Sequence, residues 1–268
     1  MYDRWIKEEN GVRYLETGDG PPLVILHGIM GGLSNFNEVI AYFKDRFRIY
    51  MPELPVYTLP LLKTNVKHFS KFLRDFLQFK SIKNPVLLGN SLGGHVSLYY
   101  VHRNPGKVKA LVLTGSSGLY EKGFGESYPK RKNYEYIKKK TQEVFHDPKM
   151  ATKELVDEVF RIVNNRNKIL RTLALAKSAI RHNMAKDLKD MHLPVCLIWG
   201  KQDVVTPPEV AEEFHRLLPD SDLYWIDKAG HAPMMERPAE FNAVLEKWFV
   251  KRKILKPKKQ EKVDEKSR

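Results

Sequence analysis

A chain of 268 residues with 42% hydrophobic side chains has enough apolar material for one large α/β domain or two small ones. Its single cysteine, Cys196, excludes an internal disulfide framework and any multi-cysteine metal site, and no stretch approaches the ~20 apolar residues of a membrane helix. The net charge of +14 concentrates between Lys122 and Lys153 and in the tail from Lys251, with no nucleic-acid motif in either. These runs read as solvated lysine-rich helix faces and a disordered tail, so neither a nucleic-acid partner nor stable membrane insertion is expected.

Met1 to Arg4 opens no apolar run, which predicts a cytoplasmic chain without a signal peptide. Trp5-Ile6 and Val12 to Thr17, with Asn10-Gly11 between them, read as a hairpin, because Asn-Gly suits the turn that matches strand twist. Leu23 to Leu26 is a continuous apolar run, as expected of a parallel strand covered on both faces. It leads into His27-Gly28-Ile29-Met30-Gly31-Gly32. A short helix from Asn35 to Phe43 and a strand from Phe47 to Met51 follow. Phe69, Phe72, Leu73, Phe76 and Leu77 recur at helical spacing within Val66 to Phe79. Val86 to Leu88 is a strand, Val96 to His102 a helix, and Val108 to Leu113 a strand. Between Leu119 and Met191 the strand pattern stops. Glu154 to Phe160 and Leu170 to Ile180 are its clearest helices, so the segment reads as an inserted helical cap. Strands return at Val195 to Trp199, where Cys196 reads as a buried small hydrophobe, and at Leu223 to Ile226. Helices follow each of them, at Glu209 to Leu217 and Ala239 to Phe249.

This alternation predicts a mostly parallel, doubly wound sheet. The predicted core is 1–118 plus 192–252, the cap 119–191, and a disordered basic tail 253–268. Ligands of such sheets sit at the carboxyl ends of the strands.

The chemistry centres on Gly89-Asn90-Ser91-Leu92-Gly93-Gly94, which joins a strand to a helix without a spacer. A serine on so sharp a turn is pushed out at the end of the sheet, and the crowded flanks at Gly89 and Gly93 tolerate almost no side chain. The pattern is weak alone and gains weight only if a base, an acid and an oxyanion donor follow in order. His231, in Asp227-Lys228-Ala229-Gly230-His231-Ala232-Pro233, follows a strand and is the candidate base. Asp203, in the turn after Leu197-Ile198-Trp199-Gly200, is the candidate acid that holds the imidazole tautomer. Asp222 and Asp227 are rival acids and His95 a rival base. The backbone N–H groups of Ile29 and Leu92 are the expected oxyanion donors, with Met30 an alternative to Ile29. His27 reads as a residue that shapes this loop through backbone hydrogen bonds.

With these residues in the order Ser91, Asp203, His231, the chain resembles the α/β-hydrolase superfamily over about residues 4 to 250. The resemblance implies the α/β-hydrolase fold and a serine hydrolase with no metal and no organic cofactor, acting on a small-molecule ester as a monomer or homodimer. Two subgroups look similar. Carboxylesterases and lipases share the elbow and a run like Gly230-His231-Ala232-Pro233-Met234-Met235-Glu236-Arg237-Pro238. Meta-cleavage-product C–C hydrolases share Asn90 beside the nucleophile and Phe145-His146-Asp147-Pro148 ahead of the cap helix. That second group implies a cap arginine for a substrate carboxylate, here Arg161 or Arg166, although it usually has Trp where this chain has Ala232. Pro52-Glu53-Leu54-Pro55 also departs from the superfamily's usual Asp-x-x-Gly. The expected substrate-binding residues are therefore His27, Gly28, Asn90, Phe145, Phe160 and Arg161. An ester or thioester hydrolase is the leading expectation, a C–C hydrolase of a dienone acid the second, and a non-catalytic binding protein on the same fold the third.

Overall fold

A computed structural model describes residues 3–120 and 130–257. Eight strands form one sheet: β1 (Ile6–Glu9), β2 (Val12–Thr17), β3 (Pro22–Leu26), β4 (Arg48–Pro52), β5 (Val86–Asn90), β6 (Ala110–Thr114), β7 (Val195–Gly200) and β8 (Ser221–Ile226). Their order is β1-β2-β4-β3-β5-β6-β7-β8. β1 pairs antiparallel with β2 and β2 antiparallel with β4; every other pair is parallel. Asn10 and Gly11 both take positive φ, 52° and 70°, as a two-residue turn of this hand requires.

The fully apolar central strands are explained by helices on both faces. Along β3, Val24 and Leu26 join one core, while Leu23 and Ile25 join the other. The first core packs under α2 (Val66–Phe79), α3 (Leu92–Arg103) and α7 (Pro208–Leu217), through Phe69, Phe76, Val96 and Phe214. The second packs under α1 (Asn37–Phe43) and α9 (Pro238–Lys251), through Phe43, Phe241, Trp248 and Phe249. Each fully buried side chain of this size contributes roughly 1.5–3 kcal/mol. Cys196 lies wholly buried among them, and burial raises its thiol pKa well above the ordinary value.

At the antiparallel edge, Glu16 on β2 is buried beneath Arg48 (2.6 Å), Lys7 (3.0 Å) and Lys80 (3.1 Å). Burial alone would favour the neutral acid. The hydrogen bonds from Arg48, Lys7 and Lys80 outweigh it and hold the carboxyl at about 2.

Between β6 and β7 the described residues form no strand. They build α4 (Tyr134–Gln142), α5 (Lys153–Asn164) and α6 (Arg166–Arg181). Asn133, Thr152 and Asn165 cap these helices by accepting the N–H groups of Tyr136, Leu155 and, for Asn165, both Asn167 and Lys168. α4 was not among the predicted helices, since in Tyr-Glu-Tyr-Ile-Lys-Lys-Lys-Thr-Gln only Ile137 and Thr141 are buried. Part of the basic stretch at 122–153 falls on 121–129, and most of the predicted tail falls on 258–268; both lie outside the described residues. The start of that tail needs correction. Ile254 is buried against the second core, and the N–H groups of Ile254 and Leu255 both donate to the Phe249 carbonyl. This apolar pair folds back on α9 within a stretch whose lysines suggested disorder. Among the described residues no helix is long and apolar enough to cross a membrane.

Candidate active site

Ser91 sits between β5 and α3 with φ 53° and ψ −120°, a conformation that costs a non-glycine residue on the order of 1–3 kcal/mol. The surroundings hold it there. Its N–H donates to the Thr114 carbonyl at 3.2 Å, and its own carbonyl accepts the N–H groups of His95 (3.2 Å) and Ser117 (3.3 Å). The glycines have the predicted cause: a Cβ at Gly93 would collide with the Leu26 carbonyl, and one at Gly89 with the backbone of Gly93 and Gly94.

His231 follows β8 and is buried, with Nδ1 2.9 Å from Asp203 Oδ2. Asp203 is 3% exposed, and both its oxygens are satisfied. Oδ1 accepts the N–H groups of Val205 (2.8 Å) and Thr206 (2.9 Å), and Oδ2 accepts the Thr206 hydroxyl (2.9 Å). Asp203 thus caps its own turn through both oxygens while Oδ2 also meets His231. The acid turn and the histidine loop are tied together by Gln202, whose N–H donates to the Ala229 carbonyl and whose side chain accepts the Ala229 N–H, both at 3.0 Å. Asn90 also reaches across. Its amide donates to the carbonyls of Thr114 (3.0 Å) and His231 (3.1 Å).

The rivals are engaged elsewhere. Asp222 accepts from Trp248 at 2.8 Å and pairs with Lys251 and Arg252. Asp227 is exposed near Lys201. His95 lies wholly buried with Nε2 at 2.9 Å from the His182 carbonyl, and burial pulls its pKa down to about 4, so it stays neutral. His27 is likewise buried. Its Nε2 accepts the Leu54 N–H at 2.9 Å, which leaves the proton on Nδ1 to meet the Gly28 carbonyl at 2.8 Å. Burial lowers its pKa too. It shapes the loop and does not line the cavity, so its place among substrate-binding residues is corrected. The departure at Pro52-Glu53-Leu54-Pro55 supplies the N–H that His27 needs.

A cavity of about 270 Å³ lies between the strand ends and the cap, and Ser91 and His231 both line it. Gly28, Ile29, Met30, Asn90 and Leu92 form its sheet side; Ile137, Val144, Phe145, Leu155, Val159 and Val163 are among its cap side. Lys140, paired with Glu143 at 2.7 Å, is the one charged residue that lines it among the described residues. Phe160 and Arg161 are corrected as well. α5 turns Leu155, Val159 and Val163 towards the cavity, and the ~100° step of a helix carries the next residues away. Phe160 instead meets the Tyr134 ring, with centroids 5.3 Å apart. The exposed Arg161 donates to the Asp157 carbonyl at 3.3 Å, and with Phe160 it lines a separate surface groove. Arg166 is exposed at the start of α6.

A family model described as the alpha/beta hydrolase fold matches residues 21–154. The crystal structure of MGS-MChE2, an alpha/beta hydrolase enzyme from the sediment metagenome of the Mar Chica lagoon, Morocco, is 52% identical. It superposes with a TM-score of 0.78 over 92% of this chain and 99% of that one. Lipase 1 of Psychrobacter immobilis is 26% identical over 83% of this chain and 75% of its own length. The 2-hydroxy-6-oxo-6-(2'-aminophenyl)hexa-2,4-dienoic acid hydrolase of Metapseudomonas resinovorans is 27% identical over 87% of this chain and 86% of its own.

Proposed function

The chain belongs to the α/β-hydrolase fold family, and from that premise we propose that it hydrolyses carboxylic esters or thioesters through an acyl-Ser91 intermediate. The observation that carries this reading is the shared cavity: Ser91 and His231 line one largely apolar space, and His231 is held from behind by a buried, fully hydrogen-bonded Asp203. In the first step the His231 Nε2 takes the Ser91 hydroxyl proton as Oγ attacks the acyl carbon. The developing oxyanion is received by the N–H groups of Ile29 and Leu92, each worth on the order of 10²–10³ in rate. Leu92 opens α3, so the helix dipole adds to that field. Collapse expels the alcohol or thiol, which leaves with the proton from His231. Water, deprotonated by the same imidazole, then attacks the acyl-serine, and the acid departs as Ser91 recovers its proton.

An apolar acyl group fits the cap side of the cavity. A C–C hydrolase of a dienone acid needs a cation for the substrate carboxylate; among the described residues no arginine lines the cavity, and its one lysine, Lys140, is paired with Glu143. Two measurements test the ester reading. A fluorophosphonate should label the wild-type protein, and label it at Ser91. A p-nitrophenyl ester series should turn over with kcat/KM rising to a preferred chain length, while a dienone acid is left unconverted. Unlabelled Ser91, or turnover of the dienone acid alone, would overturn it.

A further inference from the structure

The cap and the histidine loop meet at a single carboxylate. Glu236 ends the short helix α8 (Pro233–Glu236), and its Oε1 accepts the Gly230 N–H at 2.6 Å. Its Oε2 accepts the N–H groups of His146 at 2.8 Å and Asp147 at 3.2 Å. The two segments are also joined directly, since the His231 N–H donates to the Val144 carbonyl at 2.9 Å. Gly230 lies flat against the cap segment: a Cβ there would stand 2.6 Å from the Val144 oxygen and 3.0 Å from the His146 nitrogen. Among the described residues Glu236 forms no ion pair, so backbone N–H dipoles are what its carboxylate holds, in charge-assisted bonds roughly twice as strong as neutral ones.

The position of this joint gives it more than a stabilising role. Val144 and Phe145, at one end of the clamped segment, line the cavity that Ser91 and His231 share. Gly230, at the other side of the carboxylate, is the neighbour of His231. An acyl chain pressing on Phe145 therefore presses on backbone that is bonded to the base. We propose that Glu236 is a positioning residue that locks cap segment 144–147 to the His231 loop, so that the acyl-binding wall and the base keep one fixed relation. This rests on the Ser91–His231 reading, which wild-type labelling by a fluorophosphonate tests by itself.

Glu236→Gln tests the joint. The amide keeps the shape but carries one acceptor. Whichever way it turns, an NH2 faces either the Gly230 N–H or the pair at 146–147, and the clamp is cut on one side. Tyr134→Phe is the control. It removes the 2.6 Å bond to Asp157, between α4 and α5, and touches neither the clamp nor the histidine loop. Fluorophosphonate labelling rate, melting temperature, and kcat and KM for acetate to decanoate p-nitrophenyl esters are measured on both. Glu236→Gln should slow labelling and lower kcat by about ten- to a hundredfold, and flatten the chain-length preference, because small misplacements of a base are costly. Tyr134→Phe should label within about twofold of wild type. Equal slowing in both variants, or labelling of Glu236→Gln within about twofold of wild type, would overturn the proposal. Should Glu236→Gln not fold, amide exchange in the wild-type protein decides. The amides of His146, Asp147, Gly230 and His231 should open with one common free energy, and separate opening of the two segments would refute the joint.

Discussion

Replacing Asp203 by Asn separates shape from charge at the candidate triad. Asp203 Oδ1 accepts two backbone N–H groups, so the amide oxygen of Asn must take that place. The NH2 then falls where Oδ2 was, facing His231 Nδ1 and the Thr206 hydroxyl. An NH2 donates, so His231 must turn Nδ1 into an acceptor and carry its proton on Nε2. That tautomer cannot take the Ser91 proton. Enzymes with this arrangement lose about 10⁴ in kcat on the same swap, which is about 5.4 kcal/mol at ~1.36 kcal/mol per tenfold. KM should hardly move, since Asp203 does not line the cavity. Stability should fall by about 1 kcal/mol for the altered bonds, moving the melting temperature by roughly 2–4 °C. The assay is steady-state hydrolysis of p-nitrophenyl butyrate, with thermal unfolding of the same preparation. Thr206→Val supplies a contrast: it deletes one bond to Oδ2 and keeps the carboxylate, so the loss should be about tenfold at most. A folded Asp203→Asn protein within about tenfold of wild-type kcat would refute the tautomer argument and the assignment of the acid.

Ser91→Ala should abolish fluorophosphonate labelling and lower turnover by about 10⁴ or more with little change in melting temperature; turnover above about a hundredth of wild type would show another nucleophile. Leu155→Trp should shorten the cavity, and losing room for about three methylenes costs on the order of 2 kcal/mol, or about thirtyfold, for long esters against acetate; an unchanged chain-length profile would remove α5 from the acyl site. Arg161→Met should alter kcat/KM by less than about twofold for neutral esters and anionic substrates alike, because the guanidinium lies outside the cavity; a loss confined to a dienone acid would revive C–C hydrolysis. Glu16 has a folded-state pKa near 2, below its ordinary value of 4.5. Its stabilisation is therefore present above about pH 4.5 and is lost as the pH falls towards 2, with a ceiling on the order of 3 kcal/mol. Urea unfolding of wild type and Glu16→Gln at pH 7 and pH 3 should show the difference between them shrinking in acid, and a constant difference would contradict it.

The sheet and the three polar catalytic candidates were legible because each signal is local. Apolar runs such as Leu23 to Leu26 mark strands that two helical layers cover; Ser91 directly follows β5, and Asp203 and His231 lie in the short turns after β7 and β8. The cap was legible only in outline. A lysine-rich helix with two buried side chains, as α4 is, carries too weak a period to be seen. Phe160 and Arg161 are attractive by residue type, yet the stripe Leu155-Val159-Val163, spaced by four, was the better guide to which side of α5 meets the cavity. Glu236 stood in plain view within a recognised run. Its partners, Gly230 and the N–H groups of His146 and Asp147, come from separate parts of the chain, and backbone partners leave no residue signature.

The cap enters after Thr114 and returns to the sheet at Val195, on strands that pair with each other, and the Leu111 N–H donates to the Pro194 carbonyl at 3.0 Å. Because these strands run parallel with Val195 beside Leu111, the segment leaves three residues beyond that pair and returns at it, so the sheet fixes both of its anchors. Closing a longer excursion between the same anchors adds only about 0.6 kcal/mol per doubling of its length. Closure depends little on length, so α4 and α5 can be lengthened or exchanged, whereas Leu175, Met184, Leu188 and Met191 pack into the first core beneath the strands and must stay. What a replacement must preserve is a set of backbone groups: the Ser117 N–H that meets the Ser91 carbonyl, the His182 carbonyl that meets His95, a carbonyl to receive the His231 N–H, and two amides to meet Glu236. Grafting α4 and α5 between relatives, with those backbone groups kept in register, is the recombination that this architecture admits.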